Sequence, residues 1–292
     1  MKIALFSDIH ANLPALEAAF ADIDSRKPDA IYCLGDLVGY NIWPNEVINE
    51  IRKRGTPTIA GNYDFGIGLS SNDCGCAYKT DNEKELGKIS ISYTNQVIGT
   101  EERAYLRTLP AHIRVEFQLN EDKLNLLLVH GSPRKINEYL FENRDEKSML
   151  RIMETSDADI LCFGHTHKPY HRIIQSEVIS ESKNLVQADA ISESNNLVQS
   201  AAINQSLNSV QAKGESMFQY RHAINIGSVG KPKDGDARGG YVMLIISPES
   251  SKNDKNSIKV EFIRFDYDIE RAAQAIEKSL LPNEYAEMLR KG

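Results

Sequence analysis

Five short apolar runs, each closed within a few residues by side chains able to bind a metal ion, constrain this chain more than any other feature of its sequence. The run at residues 2–7 is followed by Asp8 and His10, and that at 29–34 by Asp36. The run at 56–60 is followed by Asn62, that at 124–129 by His130, and that at 159–163 by His165 and His167. Apolar runs of this length read as buried strands. Segments 14–20 and 44–54 carry helical spacing between the first three, and Pro14 suits a first helical turn. Alternating short strands and helices predict a layered α/β domain. Further strands are expected at 223–226, 241–246 and 258–265, and an amphipathic helix at 269–289.

In layered α/β proteins, ligands collect beyond the carboxyl ends of the strands. The five runs thus deliver two aspartates, one asparagine and four of the chain's seven histidines to one edge. Asp8-Ile9-His10 and His165-Thr166-His167 alternate; in extended backbone, residues two apart face the same side, so both donors of each pair would reach one cluster. Glycines before Asp36, Asn62 and His165, and after His130, allow tight turns in a crowded centre. Singly these signals are weak. Asp-x-His is common, Asp36 alone could cap a helix, and Gly-Asn is an ordinary turn. Their occurrence in order, each at a strand end, points to a metal centre.

The ordered set D-x-H, G-D, G-N-x-[DE], H-G and G-H-T-H resembles the calcineurin-like metallophosphoesterases, over about residues 1–247 apart from one insertion. Asn225-Ile226-Gly227-Ser228-Val229-Gly230 and the following Lys231–Asp236 stretch are similar to the N-P-G-S segment of the small prokaryotic branch, which includes compact phosphodiesterases and diadenosine tetraphosphatase-like proteins. The resemblance implies a four-layer α/β/β/α sandwich of two mixed sheets and a single domain spanning residues 1–292. It also implies two divalent ions. One would take Asp8, His10, Asp36 and His167, and the other Asp36, Asn62, His130 and His165, with Asp36 bridging. Mixed nitrogen and oxygen donors suit Mn, Fe, Zn, Co or Ni better than Ca or Mg, and Mn is favoured here. Ions about 3.5–4 Å apart can stabilise both attacking and leaving oxygens of an in-line displacement. A bridging water, its pKa lowered towards about 7, would attack phosphorus as hydroxide. Asp36, Asn62 and His130 are the expected catalytic residues. The expected activity is hydrolysis of a phosphodiester or phosphoanhydride in a small, nucleotide-type substrate. The alternatives are a nuclease acting on short or single-stranded ends and a catalytically silent metal-binding scaffold.

One departure bears on substrate choice. Many members of the superfamily have a histidine directly after the Gly-Asn pair, thought to protonate the leaving oxygen; here the position is Tyr63, followed by Asp64. Unperturbed tyrosine and aspartate titrate near about 10 and 3.9, so neither is an obvious acid at neutral pH. Activated esters are therefore expected to turn over better than alkyl monoesters. Asn12, Tyr63 and Ser228 are the candidate substrate contacts. Asn12 could equally cap the helix that follows, and the glycine-rich turn at Ser228 could present backbone N–H groups to an anion. Lys231, Lys233 and Arg238 are weaker candidates, expected on a solvated loop. His171 and His222 are expected at the surface.

The formal charge of -7, from 34 basic and 41 acidic side chains, argues against an extensive nucleic-acid interface. No stretch approaches the roughly 18 apolar residues of a membrane span. Asp8 and His10 come too early for a signal peptide, so a cytoplasmic protein is expected. Four cysteines agree with a reducing compartment. Cys33 and Cys162 lie in apolar runs; Cys74 and Cys76 have the wrong spacing for a zinc half-site and are read as loop thiols without a role.

Two segments interrupt the pattern. Residues 66–110 carry few strand signals, contain a helix at 101–109 closed by Pro110, and form a possible cap over the site. Copies of a twelve-residue repeat begin at Ile179, Ile191 and Ile203, within an insertion at about 175–219. Rich in Ser, Asn and Gln, it is expected to be a weakly ordered surface insertion.

Overall fold

A computed structural model of the chain describes residues 1–179 and 216–292. The repeat copies beginning at Ile191 and Ile203, and all but the first residue of the copy beginning at Ile179, lie outside the described residues.

The first sheet is built from β1 (Lys2–Phe6), β2 (Ala30–Cys33), β8 (Gly239–Ile245) and β9 (Lys259–Phe265), in the order β2-β1-β8-β9. β1 runs parallel to β2 and antiparallel to β8. The second is built from β3 (His112–Gln118), β4 (Lys123–Val129), β5 (Ile160–Phe163), β6 (Tyr170–Ile179) and β7 (Ser216–Asn225), in the order β3-β4-β5-β7-β6. Within it, β4, β5 and β7 are mutually parallel and β3 and β6 form antiparallel edges. Both sheets are mixed.

Side chains two apart on a strand face the same way, and this alternation builds the layers. Ile3 and Leu5 of β1, Leu124, Leu126 and Leu128 of β4, Ile160 and Cys162 of β5, and Val242 and Leu244 of β8 interleave in the core between the sheets. Ala4, Phe6 and Met243 point outward from the first sheet onto α1 (Leu13–Arg26) and α2 (Pro44–Arg54). Leu127, Val129, Leu161 and Phe163 point outward from the second onto α6 (Glu146–Thr155). The result is the α/β/β/α sandwich. α3 (Asn62–Gly68), α4 (Asp81–Val97) and α5 (Thr100–Leu106) extend the helical layer of the first sheet. α7 (Ile269–Glu277) and α8 (Glu284–Lys291) pack with Leu86 of α4 in a fourth cluster.

Several expectations need correction. Residues 56–60 make only an isolated bridge, Cys33 to Thr58, because Pro57 has no N–H and the Ala60 N–H goes to the Pro110 carbonyl. The single C-terminal helix is two, parted around Pro282. The pattern of apolar runs predicts none of α3, α4, α6, β3 and β6. β3 alternates exposed and half-buried residues along an edge, a period-two strand signal that a reading by unbroken apolar runs passes over. Among the described residues, no helix is long and apolar enough to cross a membrane.

Candidate metal centre

The carboxyl ends of β1, β2, β4 and β5 converge at one edge. Asp8 and His10 leave β1, Asp36 leaves β2, His130 leaves β4, and His165 and His167 leave β5. Asn62 arrives as the first residue of α3 rather than at a strand end. All seven side chains are at most 3% exposed.

The backbone reaches this geometry by a route the alternation argument did not anticipate. Asp8, His10, Asp36, His165 and His167 all have positive φ, between 49° and 65°. The D-x-H and H-T-H segments are therefore turns, not continuations of extended strand. Left-handed backbone costs a non-glycine residue on the order of 1–3 kcal/mol and persists only where surrounding contacts over-determine it. Those contacts are present. Asp8 N donates to the Gly35 carbonyl (2.9 Å), His10 N to the Asp36 carbonyl (2.9 Å) and Gly230 N to the Asp8 carbonyl (3.0 Å). His165 N donates to Asp8 Oδ2 across the two sheets (3.1 Å). Gly61 is required by space: a Cβ there would stand 2.1 Å from Asp36 Oδ1.

Two triads result, Asp8–His10–His167 and Asp36–His130–His165, each with donor atoms within 4.8 Å of one another. Asp36 joins them. Its Oδ2 is 3.6 Å from His10 Nε2 and 3.3 Å from His130 Nε2, while its Oδ1 accepts from Tyr63 N (2.8 Å). Asn62 Oδ1 lies 3.1 Å from His130 Nε2. Each histidine facing a backbone carbonyl has its tautomer set. His10 Nδ1 donates to Val38, His130 Nδ1 to Leu34, and His167 Nδ1 to Lys231. In the neutral rings this directs the Nε2 lone pairs inward.

The inward-facing atoms are nearly all acceptors. Asp8 Oδ1 and His165 Nε2 are buried with no hydrogen-bond partner among the described residues. Such orphaned acceptors are costly and become satisfied if a cation occupies each triad, so the residues present fit a pair of metal ions. Burial holds the His10 imidazole down at about 3 and His165 at about 4. Burial also raises Asp8. For Asp36, burial favours the neutral acid, but the charge and hydrogen bond of His130 outweigh it and keep the carboxylate ionised. Burial opposes protonation of His130 too, yet the Asp36 carboxylate lifts it to about 10.

Other expected residues fall differently. Asn12 Oδ1 caps α1 by accepting from Ala15 N (3.2 Å), and its Nδ2 donates to the Gly230 carbonyl (3.0 Å). Ser228 Oγ donates to the Asp8 carbonyl (2.8 Å) and accepts from Lys231 N (2.9 Å). Both side chains are spent holding the donor loops rather than turned to a substrate. Tyr63 is buried, its ring edge-on to His10 and against Tyr40, and its hydroxyl has no hydrogen-bond partner among the described residues. Asp64 accepts from Gly61 N and Leu37 N, both at 2.9 Å, and so ties the Asp36 and Asn62 loops together. Lys231 is buried rather than solvated, with its ammonium 4.6 Å from the centre of the Tyr40 ring. Arg238 pairs with Asp236 of its own loop.

Sequence reasoning missed two groups. Asn62 Nδ2 donates to the Cys74 carbonyl (2.8 Å) and approaches Cys76 Sγ (3.4 Å), which leaves Oδ1 aimed at the centre. A carbonyl serves there, so residue identity carried no signal. Tyr139 lies over His165, ring centroids 4.1 Å apart. The Tyr-Leu-Phe run after His-Gly-Ser was its only trace.

Residues 1–169 match the calcineurin-like phosphoesterase family. An uncharacterized protein of Methanocaldococcus jannaschii is 31% identical over 98% of this chain and 96% of its own length. A metallophosphoesterase from Sphaerobacter thermophilus superposes with a TM-score of 0.63 at 24% identity, covering 100% of this chain and 99% of that one. A hypothetical protein from Pyrococcus horikoshii OT3 gives 0.66 at 20% identity, covering 99% and 97%. These two solved structures share the fold.

Proposed function

The chain belongs to the calcineurin-like phosphoesterase family, and we propose that it is a metal-dependent hydrolase of phosphodiester or phosphoanhydride bonds in small, nucleotide-type substrates. The observation that carries this reading is Asp36, whose Oδ2 stands between His10 of one triad and His130 of the other. When bound, two divalent ions, Mn favoured among Mn, Fe, Zn, Co and Ni, supply a Lewis-acid anchor for phosphoryl oxygens and an activated water.

The chain's own residues do the rest. Asp8, His10, Asp36 and His167 would hold one ion, and Asp36, Asn62, His130 and His165 the other. The carbonyls of Val38, Leu34 and Lys231 fix the imidazole tautomers, and the Cys74 carbonyl fixes the Asn62 amide. Such outer partners are worth about 10–100-fold in metal affinity or activity. Tyr40, Tyr63 and Tyr139 wall the centre with rings that exclude water. Burial raises the Tyr63 phenol well above its ordinary value, so it offers no ready proton to a leaving oxygen. Substrates with good leaving groups are favoured accordingly. The complete donor set argues against a silent scaffold, and the -7 charge against a nuclease.

The test is a screen of the metal-loaded chain on bis-p-nitrophenyl phosphate and on mono-, di- and polyphosphate nucleotides. Turnover that appears with Mn2+ and disappears with EDTA is expected. No turnover with any of the five metals would overturn the proposal.

A further inference from the structure

A cavity of about 450 Å³ opens beside the donor cluster, lined by Phe141, Glu142, Asn143, Thr166, Lys168, Pro169 and Tyr170. Thr166 separates His165 from His167, so the cavity wall is one residue from each triad. A row of rings leads into it. Tyr139 lies over His165, and Phe141 stacks on Tyr139 at 5.6 Å with an interplanar angle of 16°. Phe141 nevertheless remains 45% exposed. A large aromatic held flat and half-open at a pocket beside a catalytic centre is a stacking surface awaiting a planar partner.

We propose that this cavity is the nucleobase subsite of a nucleoside phosphate whose reacting phosphate sits at the two triads. The inference rests on the phosphoesterase reading and adds where the base binds. The volume falls within the roughly 300–1,000 Å³ of small-molecule pockets. Pro169, Tyr170 and Phe141 supply apolar surface, and the Asn143 amide offers both donor and acceptor to a base edge. An acyl chain would leave Asn143, Glu142 and Lys168 without purpose. The Glu142 carboxylate disfavours a second phosphate in this position. The subsite is held in shape before any ligand arrives. Tyr170 Oη donates to the Leu140 carbonyl (2.8 Å), and Arg172 donates to the carbonyls of Glu142 (3.0 Å) and Arg144 (2.5 Å). These bonds pin the Phe141 loop to β6, which lowers the ordering cost of binding.

The experiment is calorimetric titration of the full Mn2+-loaded chain with AMP and with ribose 5-phosphate, in which an anomeric hydroxyl takes the place of the base. AMP is expected to bind at least about tenfold more tightly, in line with base–aromatic stacking. Phe141→Ala should collapse that ratio towards one, and Phe141→Trp should preserve it. Equal affinities in the unaltered chain, no binding of either compound, or an AMP preference that survives Phe141→Ala would each overturn the subsite. An intact, Phe141-dependent preference in a chain without metal-dependent phosphoester hydrolysis would support the subsite and fault the catalytic reading alone.

Discussion

The Nε2 atoms of His10 and His167 stand 3.2 Å apart, with their rings stacked at 22°. Each ring donates its Nδ1 proton to a carbonyl, so in the neutral state two lone pairs point at one another. Asp8 Oδ1, 3.3 Å from His167 Nε2, adds a third acceptor. Without a cation this is repulsive, and the chain holds it only because the surrounding turns are fastened.

Metal should therefore stabilise the fold. A ligand that binds only the native state adds about 2.7 kcal/mol at a hundredfold excess over its Kd. Thermal unfolding is expected several degrees higher in Mn2+ than in EDTA. His167→Ala should remove the part of that gain that belongs to the Asp8–His10–His167 triad. Identical melting with and without metal would contradict this account.

Asp36→Asn keeps the volume of the side chain and removes its charge from between His10 and His130. Loss of one metal equivalent, measured by atomic absorption, and a fall in kcat of about a hundredfold or more are expected, exceeding the roughly 10–100-fold effect of an outer partner. Wild-type metal content and rate would remove Asp36 from its bridging place.

Gly61→Ala tests the packing beneath that bridge. The added methyl would meet Asp36 N at 2.2 Å and Asp36 Oδ1 at 2.1 Å, and both belong to a buried turn with little room to yield. Overpacking of this kind costs about 1–3 kcal/mol. Weaker metal binding should accompany the loss, whereas Gly55→Ala, which meets no described atom within 4 Å but strains the left-handed cap of α2 (φ 66°), should cost stability and leave metal affinity unchanged.

Six of the seven donors were legible in the sequence because each follows a strand of mostly apolar residues, such as Lys123–Val129 ahead of His130, whereas Asn62 follows a run that makes only an isolated bridge. Their conformations were not. Asp8 and His10 look like neighbours along a strand, yet both are left-handed turn residues. That choice is imposed by distant partners such as Gly35, Asp36 and Gly230. β3 was legible only by the alternation of Ile113, Val115 and Phe117 with polar residues, not by an unbroken apolar run of the kind that marks β1, β4 and β5. Asn12 and Ser228 carried the right chemistry for a phosphate, but helix capping and loop closure consumed it.

Under the proposed hydrolysis, Tyr63 is expected to set the leaving-group preference. Its hydroxyl is buried among Tyr40 and Tyr78 and titrates far above neutrality, since burial disfavours the phenolate. We expect kcat/KM on bis-p-nitrophenyl phosphate to exceed that on simple alkyl monoesters. Tyr63→His should raise turnover of the poor leaving groups by about a hundredfold, the lower end of the roughly 10²–10⁴-fold contribution of acid–base catalysis. Equal rates on both substrate classes in the unaltered chain would sink the argument.

His222 was expected at the surface and is fully buried instead, its Nδ1 2.9 Å from His171 Nε2 in a stacked pair at the base of the β6–β7 hairpin. Burial first, and the neighbouring His171 second, lower His222 to about 4; burial also lowers His171. An unfolded histidine titrates near about 6.5. Between these values the unfolded chain binds a proton that the folded chain refuses, so stability rises with pH across this window. The contribution is fully present above about 6.5 and is lost progressively as pH falls towards 4, amounting to about 3 kcal/mol at most. His10, His165 and His167 slope the same way, so the measurement must be a difference. Urea unfolding of the unaltered chain and of His222→Gln, both in EDTA, should show the gap between them narrowing as pH drops from 7.5 to 5. A gap independent of pH would mean that His222 does not titrate in this window.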